Sequence, residues 1–166
     1  MKGLSITPLN NKHDRKSFSC GVESLDIYFQ RQAGQDNKKR IAVTYVLYEE
    51  SSNKVAGYYT LSAAAIELLA LPEDVRKKLP SYPSLPATLI GRLAVDEKYK
   101  KQRLGELILI DAAKRAYQAS LQIASFALVV DAINSSAKKF YKKYGVLDLY
   151  EKNNRLYLPM SSIAEL

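Results

Sequence analysis

Asn134-Ser135-Ser136-Ala137-Lys138-Lys139-Phe140-Tyr141-Lys142-Lys143-Tyr144-Gly145-Val146 reads as one helix with both ends marked. Ala137, Phe140, Tyr141 and Tyr144 recur at i, i+3, i+4 and i+7, the spacing of a single buried face. At about 3.6 residues per turn they share an arc of roughly 100°. Lys138, Lys139, Lys142 and Lys143 take the opposite side. Tyr141 lies at the edge of the apolar arc, where its ring packs and its hydroxyl still reaches a cleft. Asn134 suits an N-cap, and Gly145 suits the residue just past the helix end. Taken alone, the segment also fits an ordinary amphipathic helix with a solvated lysine face.

Working outward, the apolar run Ile123–Asp131 predicts a strand covered on both faces. Before it, a helix of about fifteen residues starts at Leu104, with Leu107, Ile108, Ala112 and Ala116 facing inward. The polar, basic turn Asp96–Arg103 precedes that helix, and Thr88–Val95 reads as the strand feeding the turn. Prolines 80, 83 and 86 break the chain ahead of that strand. Pro72–Leu79 reads as a short helix. Ile41–Tyr48 and Val55–Ser62 read as a hairpin around the turn Glu49–Lys54. Glu23–Ala33 reads as a helix, with Leu25, Tyr28, Phe29 and Ala33 on one face. Leu156-Tyr157-Leu158 is expected to close the sheet. No repeat or low-complexity linker interrupts the chain, so residues 1–166 are expected to form one domain.

The chain has 166 residues, 47% of them hydrophobic, enough for a substantial core. No apolar run approaches a membrane span, and Met1–Thr7 lacks a signal-peptide core. Cys20 is the single cysteine, which removes internal disulfides and cysteine-based zinc sites. Together these point to the cytoplasm. The net charge of +8 favours polyanionic partners, either nucleic acid or phosphate-bearing cofactors.

The order strand, basic turn, helix, strand, helix from Leu89 to Gly145 resembles the acetyl-CoA-dependent GNAT acyltransferases. The resemblance implies an α/β fold: a mixed, mainly antiparallel sheet flanked by helices and splayed near Val95, at the acetyl-CoA site. In that family a strand ends in a loop of pattern Q/R-x-x-G-x-G/A, and the following helix N-terminus holds the cofactor's pyrophosphate. Free amides and the positive end of a helix dipole make such a site for any anion. Here the pattern falls on Lys100-Lys101-Gln102-Arg103-Leu104-Gly105. Gly105 matches, Lys100 keeps the charge of the usual Gln or Arg, and Arg103 stands where a glycine is expected. Lys101 also replaces a common glycine. Side chains at these positions either crowd the approach to phosphate or, at Lys100 and Arg103, add charge to it. A solvated basic turn also accounts for the segment. The family's N-x-x-A-x-x-F-Y-x-x-x-G-F pattern matches Asn134–Val146, with valine in the last place. By resemblance, Tyr141 is the general acid that protonates the departing thiolate, and Asn134 contacts the cofactor. Leu93, Val95, Lys100, Arg103, Leu104, Gly105 and Glu106 complete the implied cofactor site, and a main-chain N–H near Val95 polarises the thioester carbonyl.

Phe18–Asp26, Gly57–Ser62 and Gly91–Asp96 are similar to the GNAT toxins of bacterial toxin–antitoxin pairs. Those relatives acetylate the α-amino group of aminoacyl-tRNA and block translation. The resemblance implies a homodimer, a ribbon-helix-helix antitoxin and a basic tRNA-binding surface. Lys38, Lys39, Arg40, Arg92, Lys138 and Lys142 are the candidate tRNA contacts, with Lys98, Lys139 and Lys143 beside them. The alternatives are a GNAT acting on a protein or small-molecule amine, and a non-catalytic acyl-CoA- or nucleic-acid-binding relative.

Other chemistry finds little support. His13, the single histidine, lies near an N-terminus expected to be mobile, which argues against a Ser-His-Asp triad and a histidine metal site. Cys20 reads as a small buried residue rather than a nucleophile. Glu23 and Asp26 read as helix surface, and Asp131, at a strand end, as structural.

Overall fold

Main-chain pairing lays the strands out in the order β1 (Leu4–Pro8), β2 (Val43–Glu49), β3 (Val55–Glu67), β4 (Ser84–Val95), β5 (Ala127–Asp131), β7 (Lys152–Pro159) and β6 (Leu147–Leu149). The computed structural model describes residues 3–150 and 152–165. The β1–β2, β2–β3, β5–β7 and β6–β7 ladders are antiparallel and β4–β5 is parallel, so the sheet is mixed and mainly antiparallel as expected. The register of β4 with β5 spans Ala87–Ile90, and β4 runs on to Val95. The helices are α1 (Glu23–Ile27), α2 (Ala33–Lys38), α3 (Glu73–Arg76), α4 (Leu104–Ser120), α5 (Ser135–Lys143) and α6 (Met160–Ile163). Among the described residues no helix is long and apolar enough to cross a membrane.

Contacts divide the chain into two compact units. The first comprises the described residues up to Ser62 together with Gly91–Ala112. Its core is aromatic: Phe29 stacks on Tyr58 at 4.5 Å, and Phe18 meets Phe29 edge-on at 5.0 Å. The fully buried Tyr58 donates its hydroxyl hydrogen to the Leu25 carbonyl at 2.8 Å, so the ring carries no orphaned polar atom. Between α1 and α2 the helix widens into a π-turn, Tyr28–Gln32. The second unit comprises Ala63–Ile90 and the described residues from Ala113 onward. Tyr157, Val129, Leu71, Leu85 and Ile66 form its core.

Several sequence expectations shift for identifiable reasons. β2 begins at Val43 rather than Ile41, because the Asp36 carbonyl takes the amides of Ile41 and Ala42 and closes the end of α2. β3 continues past Ser62 through three alanines, carried by pairing rather than propensity. Pro86 does not break the chain but lies inside β4, its carbonyl accepting from the Phe126 amide at 2.8 Å. The buried face of α4 is Leu104, Ile108, Leu109, Ala112, Ala113 and Ala116, and Leu107 is exposed. Ile123 is also exposed, because α4 reaches Ser120 and its end is closed by turns through Ile123. β7 lies between β5 and β6, and so does not end the sheet.

The expected mobile N-terminus is instead strand β1, and His13 is buried beside it. Its Nδ1 accepts from the Asn10 amide at 3.1 Å, and its ring meets Tyr48 edge-on at 4.6 Å. Burial, helped by Arg15, holds its pKa below the ordinary histidine value. Asp26 is likewise no simple surface residue: its carboxylate accepts the Cys20 amide at 2.8 Å.

Gly57 lets β3 and β4 approach closely. A Cβ there would sit 2.9 Å from the Ala94 carbonyl oxygen, which is backbone and cannot swing aside. Gly57→Ala is therefore expected to lower unfolding free energy by about 1–3 kcal/mol in a urea titration.

Candidate active site

β4 ends at Val95, and the next residue, Asp96, sets the course of the loop beyond it. Asp96 is buried, 4% exposed. One carboxylate oxygen accepts from the Lys98 amide at 2.8 Å and starts a short 3-10 turn, Glu97–Tyr99. The other accepts from the Ser19 amide at 2.9 Å. The Asp96 amide donates to the Ala56 carbonyl at 2.8 Å, and the Glu97 amide to the Ser19 carbonyl at 2.9 Å. Tyr99 donates its hydroxyl to Glu49. Lys100 turns its ammonium onto the Cys20 carbonyl at 3.0 Å. The segments Phe18–Asp26 and Gly91–Asp96, separate in sequence, thus meet at this loop. The Cys20 thiol itself is buried, which pushes its pKa up to about 11 and leaves it inert.

The loop then adopts a backbone that glycine usually supplies. Lys101 has φ 66° and Arg103 has φ 59°, both left-handed, and Gln102 between them is not. Alternation of this kind turns successive amides toward one side, the geometry of an anion-binding nest. Each left-handed non-glycine residue costs about 1–2 kcal/mol. The two positions where the family pattern expects glycine therefore keep the glycine conformation without the glycine. Among the described residues, no backbone carbonyl accepts from the amides of Lys101 to Glu106. Those amides and the N-terminus of the 17-residue α4 are open to an anion. The side chains do not crowd them. Arg103 is 80% exposed and pairs with Glu106 at 3.4 Å, while Lys100 is tied back to Cys20. Lys100 thus makes an anchoring contact beside the loop.

Asn134 and Tyr141 belong to the second unit. Asn134 caps α5 as expected, its Oδ1 accepting from the Ala137 amide at 2.9 Å. The helix closes through a Schellman motif. Val146 donates to the Tyr141 carbonyl, Gly145 donates to the Lys142 carbonyl, and Gly145 takes φ 87°. Tyr141 is 4% exposed. Burial, with the Asp131 carboxylate adding to it, holds its phenol well above the ordinary tyrosine pKa. Asp131 is gripped by Arg155 on the facing strand, with Nε at 2.7 Å and a terminal nitrogen at 2.9 Å. No local signal in the sequence singles out Arg155, because only the β5–β7 register, Asp131 opposite Arg155, brings it there.

The Acetyltransferase (GNAT) family profile matches residues 12–146. The chain belongs to the GNAT acetyltransferase family. A tRNA-acetylating toxin of Mycobacterium tuberculosis is 32% identical over 80% of this chain and 78% of its own length. The structure of AtaT complexed with acetyl-methionyl-tRNAfMet superposes with a TM-score of 0.92 at 32% identity, covering 98% of both chains. A tyrosine-to-phenylalanine mutant of the AtaT toxin, bound to the C-terminus of the antitoxin AtaR and acetyl-CoA, superposes with a TM-score of 0.84. It is 28% identical and covers 98% of this chain and 97% of that one.

The basic residues of this GNAT chain are not equivalent. Lys38, Lys39 and Arg40 are exposed at the end of α2. Lys98, Lys139 and Lys143 are exposed as well. Lys138 and Lys142 converge on Asp148, at 3.3 Å and 2.7 Å, which offsets part of the lysine face. Arg92 is half-buried, its guanidinium 3.5 Å from the centre of the Tyr28 ring. The strand-end residues Leu93 and Val95 are half-buried on β4.

Two substitutions separate loop shape from loop charge. Gly105→Asp is expected to weaken acetyl-CoA binding about tenfold or more, since it sets a carboxylate against the anion site. Arg103→Gly is expected to raise stability by up to about 1 kcal/mol, by relieving its left-handed backbone. Isothermal titration and thermal unfolding read the two effects.

Proposed function

We propose that this protein transfers the acetyl group of acetyl-CoA to the α-amino group of an aminoacyl-tRNA, and so acts as a translation-blocking toxin. The observation that carries the reading is the left-handed backbone at Lys101 and Arg103, which keeps the amides before α4 open to an anion. The choice of acceptor rests on the +8 charge and on the likeness to the tRNA-acetylating toxin and to AtaT with its acetylated tRNA.

The residues present fit the cofactor. Amides at Leu104, Gly105 and Glu106 would take its pyrophosphate, with Arg103 at the rim and Lys100 holding the loop. Leu93 and Val95 would line the strand end, where the Val95 N–H would polarise the reacting carbonyl. Asn134 would contact the cofactor through its amide nitrogen, its oxygen being used by the cap. When bound, acetyl-CoA supplies the acetyl group as a thioester. A neutral amine would form the new C–N bond as the thioester C–S bond breaks. Tyr141 would give its hydroxyl proton to the departing sulfur, and would regain one from the water that takes the amine's proton. The phenol carries its proton at neutral pH, as an ordinary tyrosine does, and burial moves its pKa further upward. Asp131 and Arg155 are structural, a pair that fixes the end of β5.

Residues 1–166 would act as one catalytic domain and pair as a homodimer in the cytoplasm. Their partner would be a ribbon-helix-helix antitoxin. The solved complex of AtaT with the C-terminus of the antitoxin AtaR supports an antitoxin as partner. Lys38, Lys39, Arg40, Arg92, Lys138 and Lys142 would face the tRNA.

Incubation with charged tRNA and acetyl-labelled acetyl-CoA tests the assignment. Label should enter the aminoacyl-tRNA. Ready acetylation of free amines or protein termini with charged tRNA untouched would replace this acceptor by the protein or small-amine alternative. Tyr141→Phe should lower turnover by roughly 10²–10⁴-fold, with cofactor affinity nearly unchanged. Reversing the charge of Lys38, Lys39 and Arg40 should raise KM for tRNA and leave that for acetyl-CoA in place. Binding of tRNA should weaken steeply with salt.

A further inference from the structure

The half-buried Arg92 is held at its backbone and at its guanidinium. Its amide donates to the Thr60 hydroxyl at 3.1 Å, and its guanidinium lies over the Tyr28 ring at 3.5 Å. Tyr28 is itself locked: its hydroxyl donates to Asp36 Oδ2 at 2.9 Å, and Gln32 donates to Asp36 Oδ1 at 2.9 Å. The π-turn Tyr28–Gln32 sets both donors toward that one carboxylate, and widened turns of this kind recur at functional sites. Among the described residues no carboxylate lies within ion-pair distance of Arg92. A partly desolvated guanidinium without a counter-ion is costly unless an anion joins it. Stacked on a ring, arginine keeps its N–H edge for a bidentate oxyanion such as phosphate.

We propose that Arg92, stacked on Tyr28, binds the phosphate on the 5′ side of the acceptor's 3′-terminal nucleoside. The proposal rests on the aminoacyl-tRNA reading above. Arg92 and Val95 lie on one strand, three residues apart, roughly 10 Å at the β rise. In an aminoacyl-tRNA the α-amine is joined to that phosphate through only the ester and one ribose. It is the phosphate nearest the reacting nitrogen, and its span matches the strand. Lys38, Lys39 and Arg40, exposed at the end of α2, are left for phosphates farther along the RNA.

The test compares kcat/KM for three acceptors carrying one amino acid: aminoacyl-adenosine with no phosphate, aminoacyl-cytidylyl-adenosine with one, and full aminoacyl-tRNA. Wild-type protein should prefer the dinucleotide over the nucleoside by about 10–100-fold. Arg92→Met should bring that ratio close to one. Arg92→Lys should restore only part of it, keeping charge without the stacked fork. Thermal unfolding reports the fold of both variants, and Arg92→Lys alone decides the matter if Arg92→Met does not fold. A wild-type ratio near one, or an unchanged ratio in a folded variant, overturns the proposal and leaves the acceptor assignment standing. No acetylation of any of the three acceptors overturns both.

Discussion

The Asp96 carboxylate is the contact on which the first unit's chemistry depends. It is buried, and it accepts amides from Ser19 and Lys98 at once. That joins the end of β4 to the Phe18–Asp26 segment and aims the chain into the loop before α4. Charge-assisted hydrogen bonds contribute about 1.5–3 kcal/mol each. Two left-handed residues cost about 1–2 kcal/mol each. The anchors therefore offset the strain at Lys101 and Arg103. Loop shape here is set from outside, by Asp96, Lys100 and Tyr99, rather than by glycine flexibility.

That division explains what the sequence shows and what it conceals. Helix α5 is readable because its signals are local: a cap, a spacing, a left-handed glycine at the end. Its N-cap bond and Schellman closure sit where the residues indicate. The phosphate loop is readable as a strand–turn–helix, yet its missing glycines suggest a weak site. Only the φ values of Lys101 and Arg103 show that the conformation survives. Features set by distant partners are not readable at all. Arg155 reaches Asp131 through strand register, Arg92 reaches Tyr28 through the packing of β4 under the π-turn, and His13 is buried by contacts with Asn10, Thr7 and Tyr48. Pro86 and the alanines of β3 obey the same rule, since pairing overrides their propensity.

Charge is likewise sorted by context. Of the lysines on α5, Lys138 and Lys142 share Asp148 on the surface, where each pair contributes little. Arg92 is half-buried and stacked, and its single charge is worth more to an incoming anion. A count of basic residues cannot tell these apart, although both add to the same net charge.

Whether Asp96 organises the anion site is decided by calorimetric titration of acetyl-CoA into the wild-type chain and Asp96→Asn side by side. The substitution keeps the side chain's size and removes the charge that holds the loop. Binding to the wild type should be saturable, and binding to the variant weaker by about tenfold or more while its unfolding stays cooperative. Equal affinities, or no saturable binding by the wild type at millimolar ligand, would contradict a loop shaped by Asp96.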